Sequence, residues 1–409
     1  MRRVSKVSAS VFVQVLMGAC LQHPEATLSD FAALSAELGV EVSPQGIDER
    51  ITAQAVLLLS GLFQASLTYF QGQTTIPNAV LQRFNGIYLS DSSQVALPEG
   101  MREHFVGCGG DGPSSAVKVQ LRFNYLTGCL SAVELTDGCT PDQKCDLYVR
   151  LAEQGSLHIA DLGYFVLSYL VALADKGAFF VSRLLTATTL YTSAGTAFDV
   201  LAVAQAMTAS RAEYAVQLGH ATRLPVRLII ERLPLPQVAS RRRKAIATAR
   251  KKGYTLSARH LALLEFSCYI TNVPVDYLTA EQVVLLYALR WQIELLFKLC
   301  KSQAKLAHVG TYRAERLLCH LYARLIGVVL FHWLVAPHRF LNAREVSLPK
   351  AFSLFLTFLT RLLDALACGE PSLSAVLQRL YRTWSRLALK NRRRSRPSSF
   401  QRFHAASLA

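Results

Sequence analysis

The spacing of apolar residues changes twice along this 409-residue chain, and those changes decide which architectures are open to it. Up to about residue 80, and again from about residue 280, apolar side chains recur every third or fourth position, the period of one helix face. Between those limits the residues at 86–90, 117–125 and 130–135 alternate apolar with polar, as half-buried strands do, with Tyr125-Leu-Thr-Gly128 as a turn. Thr140-Pro141-Asp142-Gln143 then carries a capping box with proline at the first helical position, which predicts a helix to about Gln154. A strand at 157–160, a helix at 166–176 and a strand at 179–183 follow.

Three consecutive strands followed by alternating helix and strand is the order of a ribonuclease H-like mixed sheet, so the fold class expected is α/β. Residues 184–265 break the alternation. They hold two strand-like runs, at 214–218 and 225–233, and then a basic run from Arg241-Arg242-Arg243-Lys244 through Arg250-Lys251-Lys252 on a helix, and so read as a strand-rich insertion. The sheet resumes at 266–271, and Thr279-Ala280-Glu281-Gln282 caps a long helix running to about 305. Four regions result: a helical N-terminal region (1–80), a candidate for DNA binding if its helices form a reader, a ribonuclease H-like core expected to carry the chemistry (81–183 and 266–310), the insertion (184–265), and a helical C-terminal region with a basic tail (311–409).

At the N-terminus, Thr27-Leu-Ser-Asp30 starts a helix, Phe31, Leu34 and Leu38 give it an apolar face, and Gly39 stops it; a second begins at Ser43-Pro44. Two short helices around a glycine turn suit either a helix-turn-helix reader or a plain helical hairpin. The apolar stretch 11–20, behind Arg2, Arg3 and Lys6, reads as a first helix, since no small-residue cleavage site follows it. Residues 317–336 are apolar enough to suggest a membrane span, but His320, Arg324 and His332 interrupt them, and a core helix is the better reading.

Lysine and arginine outnumber aspartate and glutamate 44 to 28, a net charge of +16, which points to a polyanionic partner with nucleic acid foremost. Nine cysteines form no CxxC pair, which argues against a zinc ribbon or a dithiol redox site and for reduced thiols in a cytosolic protein.

The sharpest chemical signal lies on the helix after Thr279. Tyr287, Arg290, Glu294 and Lys301 are offset by 3, 7 and 14 residues, which on an unbroken helix of about 100° per residue places them on one stripe. The plainer use of these residues is a salt-bridge ladder, Arg290 to Glu294 and Glu294 to Lys298. Two more carboxylates favour a catalytic use: Asp91 closes the first strand and Asp161 closes the strand 157–160, and ligands bind in open α/β sheets at the carboxyl ends of strands. Asp91, Asp161 and Glu294 would then hold two Mg²⁺ ions, with Mn²⁺ as a substitute, for phosphoryl transfer. Arg290, Lys298 and Lys301 would contact phosphate, as would Arg241, Arg242, Arg243 and Lys244, while Tyr287 would bond a phosphate oxygen or stack on the strand. Asp111 and Asp137 sit in glycine turns and His158 within a strand, and all three are read as structural.

The spacing Tyr287-x2-Arg290-x3-Glu294-x6-Lys301 resembles the Y-R-E-K signature of the insertion-sequence-four group of DDE transposases. Ala160-Asp-Leu-Gly-Tyr-Phe165, Thr271-Asn272 and Asp91-Ser92-Ser93 with Leu97-Pro98 are similar to that group as well, with serine where the first motif usually has threonine. The resemblance implies binding of double-stranded DNA, both transposon ends and target, in a homodimeric synaptic complex. It also implies cut-and-paste movement by metal-dependent hydrolysis and transesterification, in the bacterial cytoplasm at the nucleoid and without a membrane. Some members hold a flipped base on a tryptophan of the insertion; here Trp291, Trp333 and Trp384 all lie outside it. The rival readings are a non-catalytic DNA-binding regulator and a ribonuclease H-like nuclease that does not join strands.

Overall fold

The computed structural model describes residues 7–23, 25–69, 78–306, 313–341, 344–369 and 372–391, with 401, 402 and 405. Four helices come first: α1 (Ala9–Gln22), α2 (Leu28–Glu37), α3 (Pro44–Asp48) and α4 (Ala53–Tyr69). Then follow β1 (Ile87–Ala96), β2 (Ala116–Asn124), β3 (Cys129–Asp137), α5 (Leu147–Arg150), β4 (Leu157–Ala160), α6 (Leu167–Asp175) and β5 (Phe179–Arg183). Next are β6 (Leu190–Thr192), α7 (Val200–Ala206), β7 (Arg211–Leu218), β8 (Leu224–Arg232), α8 (Leu235–Lys251), α9 (Ala258–Leu263) and β9 (Phe266–Thr271). The chain closes with α10 (Ala280–Leu289), α11 (Trp291–Ser302), α12 (Ala314–Val335), the short strands β10 (Phe340–Leu341) and β11 (Arg344–Glu345), α13 (Leu348–Cys368) and α14 (Ser372–Leu387).

The sheet order β3-β2-β1-β4-β5-β9-β8-β7-β6 mixes parallel and antiparallel neighbours: β4 runs parallel to β1 and to β5, while β9 is antiparallel to β5 and to β8. With helical regions before and after it, this is the ribonuclease H-like α/β arrangement, and the insertion extends its sheet. β8 pairs with β9 from Arg227↔Thr271 to Arg232↔Phe266, and β7 and β6 add to β8 in turn.

By internal packing the chain forms two compact units, dividing within β1 and again after Trp291. One holds Met1–Ile76, Asp91–Pro141 and Gln292–Ser395. Its centre is α12, a helix long and apolar enough to cross a membrane but largely buried in the protein, against α1 and α4. Its buried arginine is partnered inside: Arg324 donates to the carbonyls of Cys20 (3.2 Å) and Lys305 (2.9 Å), and His320 sets its ring edge-on to Phe31. Phe331 on the same helix is surrounded by Phe352, Phe355 and Trp384. The other unit holds Pro77–Ser90, Asp142–Trp291 and Arg396–Ala409, and packs Phe180, Leu218, Leu228, Ile230 and Ile270 into its core.

Local signals explain most element bounds. Thr27 and Asp30 form a reciprocal capping box, Gly39 ends that turn at φ 78°, and Gly128 makes the β2–β3 turn at φ 75°. Three expectations are corrected. The helix expected from Thr140 to Gln154 is reduced to a 3-10 turn, Asp142–Lys144, and the single turn α5, with the Thr140 carbonyl accepting from Lys118 Nζ of β2. Asp91 does not end β1, which runs on to Ala96 beside β2. The helix expected over 280–305 is two helices: the Arg290 N–H bonds to the Tyr287 carbonyl at 3.1 Å, a tightened turn that ends α10.

Candidate active site

β1 and β4 are in register from Ile87↔Leu157 to Ser90↔Ala160, so Asp91 and Asp161 are each the residue that follows the last matched pair. In parallel strands that is the carboxyl end of the matched stretch; Asp161 leaves the sheet there, while Asp91 continues within β1. Asp161 occupies the cap position of a 3-10 turn, Leu162–Tyr164, yet its side chain makes no capping bond and is about half exposed (49%). Its charge faces Arg290, whose Nε lies 3.8 Å from Oδ1.

Tyr287, one turn before Arg290 on α10, packs edge-on to Tyr269 of β9, and its hydroxyl is buried with no hydrogen-bond partner among the described residues. Burial, with the Asp161 charge adding to it and Arg290 opposing, pushes this phenol up to about 12. It therefore stays protonated at neutral pH, a donor whose unmet bond costs on the order of 1–3 kcal/mol until an acceptor arrives. Arg183 is a neighbour that sequence reasoning passed over. The register Ile159↔Val181, continued two residues, brings it level with Asp161 on the adjoining parallel strand, and its charge is felt by both Tyr269 and Tyr287. The available signal was its position as the final residue of an expected strand.

In the other unit, Asp91 accepts the Ser92 N–H at 2.8 Å, and Glu294 stands in the first turn of α11, where the helix N-terminus favours a negative charge. Lys301 is in the last turn of that helix with its pKa lowered by partial burial, and Lys298 is exposed. Tyr287 thus stands in the last turn of α10, Arg290 is its C-cap, and Glu294 and Lys301 belong to α11. Among the described residues, no group of three or more His, Cys, Asp or Glu is drawn together closely enough to hold a metal ion.

The basic run on α8 divides by direction. Arg241 donates to the Phe266 carbonyl (3.0 Å) and to Ser267 Oγ (2.8 Å), and Arg242 to Glu265 (2.7 Å), so both are turned toward the protein. Arg243 and Lys244 are exposed, as are Arg250, Lys251 and Lys252 beyond them. The tail at 392–396 lies outside the described residues.

The strand order, with β1, β4 and β5 adjacent and an acidic residue after the matched ends of β1 and β4, defines a ribonuclease H-like protein with insertions. Residues 90–330 match the transposase DDE domain family, more than half of the chain, and the protein belongs to that family. It is 28% identical to the transposase for insertion sequence element IS1151 of Clostridium perfringens over 385 residues, 88% of this chain and 81% of that protein. It is likewise 28% identical to the transposase for insertion sequence element IS231C of Bacillus thuringiensis subsp. berliner, over 93% of this chain and 86% of that one. A solved piggyBac transposase synaptic complex with hairpin DNA aligns over 95% of this chain and 77% of that chain, at a TM-score of 0.43 and 11% identity, a likeness too loose to bear on either fold or function. Family membership makes the chain a DNA-acting enzyme of the DDE-transposase kind.

Proposed function

We propose that this protein is a transposase of the insertion-sequence-four group that binds the terminal inverted repeats of its element and moves it by DNA cleavage and strand transfer, as a homodimer in the bacterial cytoplasm. The observation that carries the reading is the register of β1 on β4, which ends at Ser90↔Ala160 with an aspartate following on each strand. Asp91, Asp161 and Glu294 would hold two Mg²⁺ ions, or Mn²⁺ in their place. The donors offered are all carboxylate oxygens, the hard ligands these ions prefer, and the Asp161 side chain is uncommitted to its cap. When bound, the ion pair lowers the pKa of the attacking water or 3′-hydroxyl and neutralises charge at the scissile phosphate.

The remaining work falls to the chain's own groups. Arg290, placed beside Asp161, would fork onto a phosphate, Arg183 adds positive potential from the next strand, and the Tyr287 hydroxyl finds its missing acceptor in a phosphate oxygen. Lys298 and Lys301 add point charges along α11.

A nuclease would share this machinery and lack strand joining. Incubating the protein with element-end DNA, Mg²⁺ and a target plasmid is expected to give joined products; cut ends with no joined plasmid would leave the nuclease and remove the transposase. The division of α8 is tested separately. Replacing Arg243 and Lys244 together by Ala is expected to weaken end-DNA binding by roughly three- to tenfold at moderate salt with the melting temperature unchanged. Arg241→Ala is expected to lower thermal stability by about 1–3 kcal/mol, because it strips the donors from Phe266 and Ser267. The opposite pattern, in a salt titration and a melt, would reverse the assignment.

A further inference from the structure

α14 is held at a fixed rotation. Leu380 and Trp384 are fully buried, and the Trp384 indole N–H donates to the Ala351 carbonyl of α13 at 3.0 Å. The opposite side of the helix exposes Ser372, Ala375, Gln378, Arg379, Arg382 and Arg386. At about 100° and 1.5 Å per residue, the three arginines fall within an arc of roughly 60° and form a row about 10 Å long. The helix contains no acidic residue, and no ion pair among the described residues involves any of the three. Elsewhere in this unit Arg313 and Arg316 share Asp48, and Lys390 meets Glu345.

Like charges three and four residues apart cost a helix a few tenths of a kcal/mol per pair, so the row does nothing for folding. One strand of B-DNA presents a phosphate about every 3.4 Å along the axis, so a row of about 10 Å faces roughly three of them. Each guanidinium offers a planar fork that fits a phosphate, and the small side chains of Ser372 and Ala375 in the same face let the backbone come close.

We infer that this face of α14 is a docking surface for duplex DNA, with Arg379, Arg382 and Arg386 gripping successive phosphates of one strand. It rests on the DNA-acting reading and adds a surface that neither the Y-R-E-K residues nor the α8 run includes.

The experiment compares the full chain with R379A/R382A/R386A by fluorescence anisotropy on an end-bearing duplex at several salt concentrations. The expected result is affinity lower by about tenfold or more at moderate salt, and a slope of log K against log salt smaller by about two to three. R379Q/R382Q/R386Q, which keeps the side-chain stems and helix propensity, is expected to behave the same, and both variants to melt with the parent protein. DNA affinity and slope unchanged in the glutamine variant would overturn the proposal, as would loss of binding to phosphatidylserine vesicles with DNA binding intact. A chain that binds through this face and joins no strands would leave the proposal standing and remove the transposase reading instead.

Discussion

Replacing Asp161 by Ala is expected to abolish DNA cleavage, by at least about a thousandfold, and to leave end binding largely intact. A lost ligand to a catalytic ion removes several kcal/mol of transition-state stabilisation, and about 4 kcal/mol already amounts to three orders of magnitude. The fold is not at stake, since the Asp161 side chain is half exposed and caps nothing. Asp91→Ala and Glu294→Ala are expected to behave alike, since ligands to one ion pair fail as a unit. Arg290→Ala differs in kind: a guanidinium that meets phosphate contributes to both affinity and rate, so both are expected to fall. Ca²⁺ in place of Mg²⁺ is expected to support binding without turnover, because its longer and looser coordination misplaces the reacting oxygens. Cleavage by Glu294→Ala at the parental rate would end the three-carboxylate assignment.

Much of the sheet was legible because its strands carry strong local signals. β4, β5 and β9 are short apolar runs closed by polar or turn residues, and their ends fall where the sequence puts them. What sequence misses is decided elsewhere in the molecule. The capping box at Thr140 is sound locally, yet the segment forms only two short turns, and Lys118, a residue of β2, bonds to the Thr140 carbonyl. β6 and α7 are a three-residue strand and a seven-residue helix, too short to show a period. The break at Arg290 has no glycine or proline to announce it, and only the bond from its N–H to Tyr287 reveals it.

The candidate site divides along the same line. Asp161 and its place at a strand end can be read from the apolar run before it, whereas Asp91 sits within a longer strand whose extension depends on β2. A run of four basic residues declares its charge and hides its direction, so Arg241 and Arg242 look like their neighbours until their bonds to Phe266, Ser267 and Glu265 are seen. The arginines of α14 are the reverse case. Spread over eight positions among apolar and hydroxyl-bearing residues, they make no run, and become a row only when the burial of Leu380 and Trp384 fixes which way the helix turns.

Lowering the pH from 7 to 5 is expected to reduce the unfolding free energy of the unit built on α12 by about 4 kcal/mol, through two histidines. Burial, with Arg324 and Arg316 adding to it, pushes His320 down to about 3; burial, opposed by the Gly128 backbone and aided by Arg339, pushes His332 down to about 4. Above the ordinary value of 6.5 both rings are neutral whether the chain is folded or not, and their contribution is complete. Below it the unfolded chain takes up protons that the folded chain refuses, and at pH 5 each ring accounts for about 2 kcal/mol. Asp30 of the same unit, held below the usual 3.8 chiefly by its bonds from Thr27, loses its contribution only as the pH falls below that value, outside this window. Urea midpoints at pH 7, 6 and 5 provide the measurement, with His320→Gln/His332→Gln as the comparison. Whatever the double variant loses at pH 7, its pH dependence over this range should be nearly flat, and midpoints falling in parallel with those of the parent would mean that these rings are not what makes the helical unit acid-sensitive.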